Sequence, residues 1–502
     1  MNRKIGVILS YVYMVFQVLS TLLLTPFIIR TLGQAEYGVY KLVFAINAYL
    51  LLLDLGMGNA IIRYVAMYKA EKNKKKESQF FAISIFFYAA VGIIAFIIGV
   101  ILVNIFPIAF ANGLSGSEVK LAQKLLFITM INTAVVLGTS EFGSILIAYE
   151  KFSVSRISSI IEIIVRIVLT YLVLKAGCGS LGIVIVNLVT ALFCRVFFIV
   201  YVLVAVKLRP IFKDIDVSFM KDIIAYSSLI LLQMIATQIN ATVDQVLIGA
   251  LVKSSATILA VYSIGTQISQ YFQTIGSSFT SVLMPGVVNL VTNNGSSEKI
   301  INEMIRIGRI IFMVLIAIWS GFMICGKEFT LLWAGKANED GFVVAFLLMT
   351  VYMFILVESI GTQILWALNQ HKEQAILKFL IVIVNIGLTI LLIKWNPLIG
   401  ATIGTVISLL VGDIGVMNLI FKRKFNMSLI FYYKSLFKGI VPCAILMVAV
   451  GLVISKFIHN GWLGLVVKIS IMLLTYCISM FLYGMNEYEK KLCFSLIKRK
   501  HK

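Results

Sequence analysis

Charge is scarce in this chain. Only 13% of its 502 residues are charged, about half the ~25% of an ordinary soluble protein. That is too little polar surface to cover the two or more soluble domains such a length would need. Histidine is scarcer still, with three copies. The six cysteines (Cys178, Cys194, Cys325, Cys443, Cys477 and Cys493) form no C-x-x-C pair. A disulfide framework, a zinc site and haem attachment are therefore not expected, and no metal ligands are assigned. The cysteines read as small buried apolar residues. Acidic residues number 22 against 43 Lys and Arg, a net charge of +21. A nucleic-acid partner would require those cations on one folded soluble face, but here they fall in short breaks between apolar runs.

What the chain has in abundance is apolar sequence, 60% of it. About 20 consecutive apolar residues span a bilayer as a helix. About fourteen such runs occur, at 5–29, 41–62, 80–106, 121–148, 157–174, 181–206, 222–251, 259–285, 305–325, 341–369, 374–393, 398–421, 435–455 and 462–483. The first is too long for a signal peptide and reads as a retained membrane helix. Turn residues such as Ala111-Asn112-Gly113, Asn293-Asn294-Gly295 and Trp395-Asn396-Pro397 punctuate the runs. With the N-terminus placed in the cytoplasm, thirty Lys and Arg fall on the inside and ten on the outside. The positive-inside rule thus supports this span count with both termini cytoplasmic. The tail through Lys498-Arg499-Lys500 reads as a basic interfacial segment.

A weak repeat relates Gly38-Val39-Tyr40-Lys41-Leu42 to Ala260-Val261-Tyr262-Ser263-Ile264. It divides the chain into a six-helix bundle at 1–206, a cytoplasmic linker at 207–221, a second six-helix bundle at 222–425, and two final helices with the tail at 426–502. Parallel repeats of this kind place a substrate site between the halves in many transporters.

Several runs carry polar residues on one helical face. The first has Ser10, Tyr13, Gln17, Ser20, Thr21 and Thr25, and the second has Tyr40, Asn47 and Asp54. The fourth has Asn132, Thr133, Ser140, Glu141 and Ser144. The seventh has Gln233, Thr237, Asn240 and Asp244, and the eighth has Tyr262, Thr266, Ser269, Gln270, Gln273 and Ser277. The tenth has Glu358, Thr362, Trp366 and Asn369. The third run and the last two lack such a stripe and are assigned to the lipid. Any single polar residue has an alternative role in helix–helix contact. Taken together, the stripes point to a hydrated cavity rich in amide and phenol groups, suited to a ligand with many hydroxyls.

A charge at a helix centre costs roughly 2.5–3.5 kcal/mol on insertion scales, so the charges inside runs need partners. Glu162 and Arg166 are spaced to pair. Lys468 is expected to snorkel outward, and Arg195 and Asp413 require partners that the sequence does not identify. Asp54, Glu141, Asp244 and Glu358 lie on polar stripes and are candidates for carrying protons or sodium. Arg30, after Pro26, is either a phosphate ligand in the cavity or an interface anchor. Gly321 through Lys327 imitates a phosphate-binding loop, but Glu328 replaces the Ser or Thr and the stretch closes an apolar helix. ATP hydrolysis is therefore not expected.

The segments Thr25-Pro26-Phe27-Ile28-Ile29-Arg30-Thr31-Leu32-Gly33, Glu36-Tyr37-Gly38-Val39-Tyr40 and Leu53-Asp54-Leu55-Gly56 resemble the opening of polysaccharide-export flippases. Asp244-Gln245-Val246-Leu247-Ile248-Gly249 with Val261-Tyr262-Ser263 resembles the start of their second half. These flippases belong to the multidrug/oligosaccharidyl-lipid/polysaccharide exporter superfamily. The resemblance implies an all-α fold like that of multidrug and toxin extruders, working by alternating access in the bacterial cytoplasmic membrane. It implies an undecaprenyl-diphosphate-linked oligosaccharide as substrate, membrane lipids and polysaccharide-assembly proteins as partners, no cofactor beyond an H+ or Na+ gradient, and no enzymatic activity. The first run lacks the acidic residue typical of the drug exporters. A cation-coupled multidrug exporter of the same fold is the alternative. A membrane glycosyltransferase or polymerase is a more distant one, because the outer loops near 107–120 and 326–340 are short.

Overall fold

In hydrocarbon every backbone N–H and C=O must find its partner within the chain, so apolar runs of this length have to be helical. A computed structural model describes residues 3–212, 218–292, 297–368, 370 and 372–491, and no strand occurs among them. The basic tail, the turn at Asn293-Asn294-Gly295 and Asn369 lie outside the described residues.

Helices follow one another along the chain. The first nine are α1 (Arg3–Leu50), α2 (Met57–Ala70), α3 (Lys74–Ala109), α4 (Gly116–Gly138), α5 (Ser140–Ala148), α6 (Phe152–Lys175), α7 (Gly179–Val200), α8 (Ser218–Leu251) and α9 (Ser255–Thr292). The remainder are α10 (Ser297–Ala334), α11 (Gly341–Val357), α12 (Ser359–Ala367), α13 (Lys372–Ile393), α14 (Pro397–Leu409), α15 (Met417–Phe425), α16 (Leu429–Phe437), α17 (Ile440–Ile454) and α18 (Trp462–Ser479). Among the described residues nine helical stretches are long and apolar enough to cross a membrane, or eleven when the bent pairs α11–α12 and α16–α17 each count as one. The stretch Val12–Ala70 holds two of the expected runs, and α8 and α9 coincide with the seventh and eighth. The chain is an all-α multi-pass membrane protein.

The chain forms two compact units, Met1–Ala260 and Val261–Lys502. In the first, α1 packs against α4, α6 and α8, while α2 lies on α3 and α5. Three breaks interrupt its helices. Gly33, at φ 77° and ψ 169°, separates the two spans within α1. A 3-10 turn at Leu51–Asp54 is followed by Leu55 and Gly56, both in the left-handed region, where the missing Cβ relieves strain at Gly56. Thr139 leaves helical geometry between α4 and α5. Ser115 and Glu118 form a capping box that fixes the start of α4. α3 sends Phe86, Ile93, Ile97, Ile101 and Ile105 outward and keeps Phe81, Tyr88 and Ala95 buried.

In the second unit α10 is central, packing against α11, α16, α17 and α18. Arg309 of α10, almost fully buried, meets Glu489 at 2.6 Å. Its guanidinium also donates to the carbonyls of Ser435 (2.7 Å), Lys438 (2.9 Å) and Gly484 (3.2 Å). Lys468 of α18 does not snorkel as expected: it is 2% exposed and bonds Glu328 at 2.8 Å and Asn460 at 3.0 Å. Pairing with a carboxylate removes the penalty that would otherwise drive it to the interface. Asp413 finds its partner in Lys378, at 2.6 Å. Residues 321–334 continue α10 without interruption, so the Gly321–Lys327 stretch forms no phosphate-binding loop.

Candidate functional site: polar groups at the helix breaks

Helix breaks matter here because they release backbone groups and place polar side chains where an unbroken helix would present hydrocarbon. In the first unit the turn at Leu51–Asp54 sets Asp54, half-buried, against α3, and its carboxylate accepts a hydrogen bond from the Tyr88 hydroxyl at 2.8 Å. A Cβ on Gly58 would stand 3.1 Å from the Ser144 hydroxyl and 3.7 Å from that of Tyr88. The bare backbone of α2 thus lets polar groups of α3 and α5 close on the same place. Glu141, the second residue of α5, is 1% exposed, and its Oε2 has no hydrogen-bond partner. The Arg195 guanidinium of α7 lies within electrostatic reach of it and close to Gly143. This cluster of Asp54, Tyr88, Ser144, Glu141 and Arg195 joins four segments of one unit.

The other candidates of this unit are placed variously. Asn47 is buried and accepts from Thr133 at 2.6 Å. Gln17 and Arg30 are exposed on α1. Arg166 approaches Glu162 at 3.9 Å, a loose pair at the limit of a salt bridge. Gln233 holds its Oε1 buried without a partner. Asn240 is half-buried and Asp244 is 3% exposed. Between α6 and α7 runs a groove of about 530 Å3 lined by Ile157, Ile161, Val165, Leu169, Val189 and Phe193, with Glu162 and Cys194 also in its wall. Such walls suit hydrocarbon rather than sugar. Just beyond the membrane helices, Tyr149 donates to Glu77. Burial and that carboxylate hold its phenol protonated well above the usual range.

In the second unit Thr266 donates to the Ser263 carbonyl at 3.1 Å, Gln273 reaches Ser269 at 3.4 Å, and Gln270 is exposed on the same helix. Glu358 is the break residue itself. It stands between α11 and α12, which bend by 42°, and is 2% exposed. Its Oε1 accepts from Asn418 Nδ2 at 2.8 Å and from the Tyr433 hydroxyl. Among the described residues no group of three or more His, Cys, Asp or Glu is arranged to hold a metal ion.

Sequence reasoning passed over Tyr88, Asn418, Tyr432 and Tyr433. Tyr88 was hidden in a run assigned to lipid, although a single phenol in an otherwise aliphatic helix is itself a signal. The other three lie near span ends, where polar residues are ordinary.

The arrangement defines a class of protein before it defines a family. Solved structures of transporters share this fold. One titled "Lipid II flippase MurJ, inward closed conformation" aligns over 95% of this chain and 98% of its own, with a TM-score of 0.73 and 17% identity. An inward-facing multidrug resistance MATE family transporter of the MOP superfamily aligns over 82% and 94%, with a TM-score of 0.66 and 15% identity. A MOP superfamily transporter from Pyrococcus furiosus aligns over 84% and 94%, with a TM-score of 0.52 and 14% identity. No curated protein matches the sequence significantly. The model of the polysaccharide biosynthesis protein family matches residues 4–291, more than half the chain, and the chain belongs to that family.

Proposed function

We propose that this protein is a flippase moving undecaprenyl-diphosphate-linked oligosaccharide units across the bacterial cytoplasmic membrane for surface polysaccharide synthesis, with no catalytic step of its own. The family match over residues 4–291 carries the reading, and a fold shared with a lipid II flippase supports it. Both termini lie in the cytoplasm, which is the side the basic residues favour. Polar groups from Gln17, Arg30, Asn47, Gln233, Asn240, Thr266, Gln270 and Gln273 serve the sugar and diphosphate. Arg166 supplies a further cation for the diphosphate. The apolar groove between α6 and α7 suits the hydrocarbon of a lipid. Asp54, Glu141, Asp244 and Glu358 are the candidates for coupling to H+ or Na+.

The experiment is reconstitution of the full chain into liposomes with a fluorescent polyprenyl-diphosphate oligosaccharide. Protein-dependent loss of the label's protection from an external quencher is expected. A matched deletion strain should accumulate lipid-linked units on the cytoplasmic face. Normal surface polysaccharide in that strain, together with no transfer in liposomes, would overturn the proposal. The MATE likeness keeps one other reading in play. Dye efflux that rises on expression and collapses with an ionophore would favour a cation-coupled drug exporter.

A further inference from the structure

A helix N-terminus carries positive partial charge, so acidic residues are favoured in the first turn and cations oppose it. α3 inverts this pattern. It opens on Lys74, Lys75 and Lys76, all exposed, just after the exposed Lys72. Asn73 caps the turn, its Oδ1 accepting from the Lys76 N–H at 3.1 Å. The one carboxylate of the turn, Glu77, is 4% exposed and accepts from the Tyr149 hydroxyl. Lys72, Lys74 and Lys76 make no ion pair among the described residues. Two other segments bring cations to the same face. Lys69, at the end of α2, holds its Nζ 4.3 Å from the centre of the Tyr149 ring. The strap 207–212 that follows α7 carries the exposed Lys207 and Arg209. It crosses the start of α3, where the Ile211 N–H donates to the Ser78 carbonyl at 3.1 Å, and its Leu208 is buried in one core with Tyr68 and Phe80. The exposed carboxylates of these segments are Glu71 and Glu150, too few to balance the cations.

Mutual repulsion and the opposed helix dipole both disfavour this arrangement unless anions face it. Lysines are flexible, strongly hydrated point charges, suited to a spread of phosphates rather than to one fixed partner. The depth of the patch selects among anionic partners. Lys76 precedes the apolar run that begins at 80 by four residues, roughly 6 Å at helical rise, which is the depth of one headgroup layer. Phe212 of the strap is 54% exposed and meets Phe86 edge to face, with ring centroids 5.3 Å apart. Phe86 lies on the outward strip of α3 with Ile93 and Ile97, so the cations border a surface made for hydrocarbon. An acidic soluble protein would match the lysines and leave those rings unused. We propose that this face, formed by the α2–α3 turn, the start of α3 and the strap, is a docking surface for the headgroups of anionic phospholipids in the adjoining leaflet. Their acyl chains lie against Phe86 and Phe212. Such docking involves bilayer lipid and does not depend on what is transported.

The test uses purified full-length protein in nanodiscs of phosphatidylcholine, with and without phosphatidylglycerol, and no other ligand. Headgroup-photoactivatable analogues of the two lipids are crosslinked and mapped by mass spectrometry. The segments 69–78 and 207–212 are expected to capture phosphatidylglycerol in strong preference, and added salt should weaken that preference. The triple variant Lys72→Gln, Lys74→Gln, Lys76→Gln should lower it by about tenfold or more. Changing the same three residues to arginine instead should keep it. Unfolding temperature then separates lipid binding from a structural role. In phosphatidylcholine alone the glutamine variant should unfold no lower than wild type, because the conflict with the helix dipole is relieved. With phosphatidylglycerol it should lack the stabilisation that wild type gains. Equal capture of the two lipids by wild type, which is what an acidic protein partner would give, overturns the surface. So does a glutamine variant that is destabilised alike in both lipids, or one that keeps the full preference.

Discussion

The two units break a membrane helix in comparable ways and compensate the break differently. In the first, α4 gives way at Thr139 to the nine-residue α5. In the second, α11 gives way at Glu358 to the nine-residue α12. Both short helices begin with serine and end with alanine, and both breaks bury a glutamate whose Oε2 has no partner. The difference is the source of the opposing charge. Glu141 has Arg195 within reach, from its own unit. Glu358 has an amide and one phenol as donors, and no ion pair among the described residues. One break carries a counter-charge from its own unit, and the other is held by neutral donors.

The largest effect expected from disturbing this contrast comes from the fully paired reference. Arg309→Met leaves Glu489 buried without its cation and should lower stability by about 3–5 kcal/mol, read as a large drop in thermal unfolding temperature. Next, Arg195→Ala should turn the first break into a copy of the second. It should cost roughly 1–3 kcal/mol, and Glu141→Gln added to it should recover most of that loss. No recovery in the double variant would mean that the two side chains are not coupled, and the contrast between the breaks would fail. The smallest effect is expected of Tyr88→Phe. It deletes the hydroxyl donated to Asp54, and about 1 kcal/mol should be lost. Transport in liposomes should then fall if Asp54 needs that phenol to hold its place.

The spans were legible because lipid leaves little choice: an apolar run of sufficient length has to be a helix, and the runs fall on α1 to α18. Bends within spans were not. Glu358 and Thr139 interrupt helices without proline, and nothing in the neighbouring residues marks them as breaks. Pairings over long sequence distances were equally hidden. Lys468 was expected to reach for the interface because its partner, Glu328, is 140 residues away on a helix whose packing only the fold decides. The same holds for Asp413 and Lys378. Asp54, Glu141 and Glu358 were visible as charges in apolar surroundings, since lipid makes any such residue conspicuous. Their neighbours Tyr88, Asn418 and Tyr433 are ordinary residues until the fold gathers them.

Arg309 and Glu328 are nineteen positions apart on α10, roughly 28 Å at helical rise, which approaches the thickness of the hydrocarbon layer. One fastens the stretch ahead of and behind the last two helices, and the other fastens the start of α18. A rod pinned near both ends cannot slide or pivot against its support without breaking a buried ion pair. Whatever rearrangement α10 undergoes during a working cycle, α17 and α18 must therefore travel with it as cargo rather than act as moving parts.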